Sequence, residues 1–74
     1  MPSDLAQDAI DLLEPSVGKF MAEGIVDSAC AEIGSDVDAV GDGDREDFVD
    51  ELESRVEIKL GPRTAASVAE DLRS

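Results

Sequence analysis

Asp36, Asp38, Gly41, Asp44 and Asp47 hold the first, third, sixth, ninth and twelfth positions of a calcium-binding EF-hand loop. In that chemistry carboxylate oxygens surround a hard cation and the glycine allows a sharp turn. Three positions break the pattern. Val40 stands where a ligand belongs, Gly43 stands where an apolar residue belongs, and Asp47 is too short for the bidentate Glu of the last position. The chain carries 19 Asp and Glu among 74 residues, so partial matches of this kind arise by chance. The loop therefore reads first as a solvated acidic turn, with a divalent-ion site as the alternative.

Other chemistry is sparse. The chain has no histidine, which removes the usual neutral-pH base and the commonest metal ligand. Cys30, the only cysteine, lies between Ala29 and Ala31 with no basic neighbour in sequence. A nucleophilic thiol needs an electropositive setting, so Cys30 reads as a small core residue. Serine and threonine have no base to activate them. The expectation is a non-enzyme with no catalytic, cofactor-binding or metal-ligating residue.

Charge narrows the partners. The formal net charge is −13, which opposes binding to phosphate backbones and to anionic membranes. A local basic patch of Arg55, Lys59 and Arg63 keeps a helical DNA-binding regulator as a further alternative. No apolar run is long enough to span a bilayer. Met1-Pro2-Ser3-Asp4 lacks the basic and apolar regions of a signal peptide, and a cytoplasmic location is expected. Asp outnumbers Glu 11 to eight, Arg outnumbers Lys four to two, and small apolar residues replace large ones. This style resembles the proteins of salt-in halophilic archaea.

The elements follow from apolar spacing and breakers. Ser3 is a good N-cap with Asp4 in the first turn. Leu5, Ala6, Ala9, Ile10, Leu12, Leu13 and Val17 form a helical arc. Pro15 predicts that this helix stops near Leu13 or runs to about Val17 with a kink. A second helix, about Lys19 to Ile33, carries Phe20, Met21, Ala22, Ile25, Val26, Ala29, Cys30 and Ile33, with Gly34 as its C′ residue. Gly24, inside it, is explained by close helix packing. After an acidic linker over 35–44, Asp44 is the expected N-cap of a third helix, with Asp47 in a capping-box position. Phe48, Val49, Leu52, Val56 and Leu60 form its stripe. Gly61 ends it, and Pro62 opens a fourth helix with Ala65, Val68, Ala69 and Leu72 inward. No strand is expected.

The halves repeat at an offset of 43 residues: Asp4 falls on Asp47, Glu14 on Glu57, Gly18 on Gly61 and Ala22 on Ala65. Each half reads as helix, glycine, helix. The fold class is therefore all-α, a single domain over 1–74, in which hairpin one (about 4–33) packs with hairpin two (about 45–73) as a small bundle. The mismatches carry the functional hint. Ile10 aligns with Glu53, Leu12 with Arg55, Phe20 with Arg63 and Cys30 with Arg73. Either the first hairpin is central, or its extra apolar surface is an interface. Ile10, Leu12, Phe20 and Met21 are the candidate interface residues, and a homodimer is the expected assembly.

Leu13-Glu14-Pro15-Ser16-Val17-Gly18-Lys19-Phe20-Met21-Ala22, followed by Ile25-Val26, resembles a short helical module appended to Ser/Thr kinases and regulator-like proteins of prokaryotes. Its signature is Ile/Leu-Gly-Pro, then Ala, then a Leu/Ile-Val pair. Leu60-Gly61-Pro62 with Ala65 is the nearer match, and Asp44-Arg45-Glu46-Asp47-Phe48-Val49 is similar to the module's second helical segment. Lys19 stands where the signature has Pro. The resemblance implies regulation or scaffolding by protein–protein contact, without catalysis.

Close-packed carboxylates repel strongly at low salt and little at molar salt, where screening acts over about 3 Å. Helical circular dichroism is therefore expected to fall when KCl is lowered from about 2 M to about 0.05 M. An unchanged spectrum would contradict the halophilic reading.

Overall fold

The computed structural model describes residues 1–74 as four helices, α1 (Asp4–Val17), α2 (Lys19–Glu32), α3 (Arg45–Leu60) and α4 (Pro62–Arg73), with a short 3₁₀ turn at Asp42–Asp44. There is no strand, and the all-α expectation holds. None of the helices is long and apolar enough to cross a membrane.

α1 starts where Ser3 Oγ accepts the Ala6 N–H at 3.2 Å, satisfying one of the free donors of the first turn. The helix runs past Pro15 to Val17, the longer of its two expected courses. Gly18 then turns the chain into α2, and Gly61 turns α3 into α4. Their backbones agree closely, with φ 84 and ψ 161 at Gly18 and φ 89 and ψ 165 at Gly61. This region of backbone space is essentially closed to residues with a Cβ. One residue thus caps two helices. Gly18 N–H donates to Glu14 O at 2.8 Å, and Gly61 N–H to Glu57 O at 2.9 Å. On the other side, Ala22 N–H donates to Gly18 O at 3.0 Å, and Ala65 N–H to Gly61 O at 3.2 Å. The Glu, Gly and Ala of the sequence repeat are the residues that make these bonds.

α2 ends in a Schellman cap. Gly34 has φ 76, Ser35 N–H donates to Cys30 O at 2.9 Å, and Gly34 N–H to Ala31 O at 3.1 Å. The start of α3 differs from expectation. Asp44 makes no side-chain cap there. Its Oδ2 reaches back to the Gly41 N–H at 3.4 Å, because the 3₁₀ turn just before α3 holds Asp44 in a helical rather than an extended conformation.

Each helix packs on its neighbour in sequence, and α4 returns to α1. Every buried residue is hydrophobic. Phe48 is the one aromatic inside, fully buried among Leu13, Val26, Val49, Leu52 and Val56 of the same core. Val40, from the linker, is also fully buried, anchoring the acidic loop. Arg45 donates to the Leu72 carbonyl, and Arg73 pairs with Asp50 and Glu53. These contacts clip the end of α4 to α3.

Gly18→Ala and Gly61→Ala are each expected to lower stability by about 1–3 kcal/mol, the cost of this backbone region for a residue with a Cβ. Denaturant unfolding at high KCl measures it, and two neutral substitutions would contradict the hinge assignment.

Candidate protein-docking groove

The hinge sets the phase of α2. Ala22, one turn after Gly18, must face inward, and Val26, Ala29 and Cys30 follow it into the core. Phe20, Gly24 and Ser28 fall every fourth residue on an adjacent, exposed strip. The equivalent strip of α4 is Arg63, Ser67 and Asp71, also exposed. The repeat thus puts polar residues on this strip in one hairpin and an aromatic ring in the other.

The strip forms one wall of an open groove of about 450 Å³ between α2 and α3. Phe20, Met21, Gly24, Ile25 and Ser28 line it from α2, and Arg55, Ile58 and Lys59 from α3. Glu32 near the end of α2 lies 3.7 Å from Arg55, while Phe20 near its start shares the groove with Lys59.

The four expected interface residues separate. Ile10 is only 3% exposed and is covered within the chain, so it is not surface available to a partner. Leu12 is half-buried and packs on the core edge. Phe20 is 92% exposed and Met21 46%. Cys30, another mismatch of the repeat, is fully buried. The first hairpin is thus more central at Ile10 and Cys30, and apolar on its surface at Phe20 and Met21. Sequence reasoning missed Ile58, which is 85% exposed. Its signal was present: it is a large apolar residue off the Phe48, Val49, Leu52, Val56 stripe.

Gly24 also departs from expectation. Apart from its own helix backbone, no atom lies within 4 Å of where its Cβ would stand, so no other helix packs closely against it. Its φ is not positive. A mid-helix glycine that the fold does not need leaves an open notch beside Phe20.

The groove's charges are both positive. Arg55 lies 3.3 Å from Glu51 through Nε, although that N–H is not aligned on a partner and is buried. Lys59 forms no ion pair. Elsewhere the chemistry is muted. Burial, with Asp27, Asp36 and Asp44 adding repulsion, raises the Cys30 thiol from 9.0 to about 11, which disfavours the reactive thiolate. In the acidic loop, Asp36 Oδ1 accepts the N–H groups of Asp38 at 3.0 Å and Ala39 at 2.9 Å. Asp38 pairs with the terminal amino group of Met1 at 3.2 Å. Asp42 pairs with Arg45 at 2.6 Å, and nowhere do three potential ligands converge to hold a metal ion.

No family model matches the chain, and comparison with curated proteins and with solved structures gives no match.

Gly24→Ala is expected to raise stability by up to about 1 kcal/mol, since it gains helix propensity and meets no clash. Chemical denaturation at high KCl is the check, and a loss of stability would contradict the open notch.

Proposed function

We propose that this chain is a non-enzymatic protein-interaction module that docks a partner on the α2–α3 groove. The observation that carries this reading is the placement of Phe20 and Ile58, 92% and 85% exposed, on either wall of one groove. Large apolar side chains left together on a small domain mark an interaction surface. A trough between two helices suits helix-in-groove docking, in which a partner helix lays its apolar face between the walls. The likeness to modules of prokaryotic signalling proteins agrees with a regulatory or scaffolding role. The Asp-rich composition agrees with work in a high-salt cytoplasm.

The other functional readings have less behind them. A DNA-binding surface would use Arg55, Lys59 and Arg63, yet Arg55 faces Glu32 and Glu51. An ion site would use loop carboxylates that cap their own turn.

The test compares capture from a high-salt lysate by the wild-type chain and by the Phe20→Ala, Ile58→Ala double variant. Both side chains are solvated, so the variant is expected to fold with unchanged circular dichroism and to lose a protein that the wild type retains. Loss of two buried apolar anchors typically weakens binding by about 2–4 kcal/mol. A capture pattern identical for the two chains would overturn the groove assignment.

A further inference from the structure

The lining of the groove is unusual for this chain. Asp and Glu number 19 against six Lys and Arg, yet Arg55 and Lys59 line the groove and no carboxylate does. Each of the molecule's other surface depressions includes at least one carboxylate. Lys59 is engaged in no ion pair, whereas Arg55 is held by Glu51 and Glu32, and Arg45 and Arg73 are paired with carboxylates of their own.

From these observations we infer that the occupant is the acid-flanked amphipathic helix of a different protein, and this rests on the docking reading above. Charge complementarity selects the flanks. A helix bearing Glu or Asp beside its apolar stripe meets Lys59, the lining cation that has no carboxylate of its own. A second copy of this chain is disfavoured, because a two-fold contact apposes the same patch of both molecules. That would set the Lys59 of each copy against a lining that offers it no carboxylate. Length and shape select a helix. Phe20 to Ser28 spans about 12 Å, two helical turns, and the Gly24 notch admits the close approach of one inserted side chain or backbone turn. The net charge of −13 does not forbid this contact. At molar salt, charges beyond about 3 Å are screened, while groups in contact still interact.

The test uses three synthetic helical peptides with one shared Leu face and flanks of Glu, Gln or Lys. Each is titrated into the ¹⁵N-labelled full chain at the lowest KCl concentration that keeps its circular dichroism intact. The amides of Phe20, Gly24 and Ile58 are followed. The Glu peptide is expected to bind about tenfold more tightly than the Lys peptide, since each exposed ion pair adds only a few-fold. Lys59→Gln is expected to shrink that preference, and Gly24→Leu to remove binding while the fold persists. Equal binding of all three peptides at the groove would overturn the charge inference and leave the docking reading standing. No shift with any peptide would overturn both. Tighter binding of the Lys peptide would also overturn the inference, as would groove shifts that appear on raising the protein concentration alone.

Discussion

The whole arrangement depends on two glycines that each turn one helix into the next with no linker. At Gly18 and Gly61 the backbone takes a positive φ with an extended ψ, which a side chain would forbid. A single residue then ends one helix on a Glu carbonyl and starts the next by accepting from an Ala one turn later. With no slack in the connection, the rotational phase of the second helix is fixed by the first. The alanine one turn later is turned inward and is buried in both hairpins.

That constraint explains the character of the core. Ala6, Ala9, Ala22, Ala29, Ala65 and Ala69 are all buried, and the helices close on each other through small side chains. One Phe suffices at the centre. The other, Phe20, has no place inside, since its position two residues past the hinge is rotated away from the core. The equivalent position in the second hairpin is Arg63, which suits water. Phe20 in the same geometry is an apolar residue held outward by the backbone, with Ile58 opposite and the Gly24 notch beside it. Function in this chain is read from what one hairpin does differently with a strip that both hairpins expose.

The fold was legible because its signals were local. Four apolar stripes, Pro62 at a helix start, Gly34 at a helix end and the Glu-Gly-Ala spacing of the repeat all act within one or two turns. The linker was not, because Val40 is buried by contacts with distant elements and Asp44 answers to a 3₁₀ turn with no strong sequence mark. The groove was legible by half. Phe20 and Met21 stood out as mismatches of the repeat, but α2 is apolar on most sides, so periodicity alone could not separate Ile10, which the chain covers itself, from Phe20. Ile58 needed the opposite inference, from a polar helix to its one misplaced apolar residue. Glycine inside a helix usually signals close packing, and only the empty space around Gly24 shows otherwise.

The central claim is that the folded chain leaves Phe20 and Ile58 uncovered. Paramagnetic relaxation by a soluble, uncharged nitroxide, read on the side chains of the isolated protein at high KCl and low concentration, tests it most directly. Strong broadening is expected at Phe20 and Ile58, with protection at Phe48 and Ile10. Protection of Phe20 equal to that of Phe48 would contradict it.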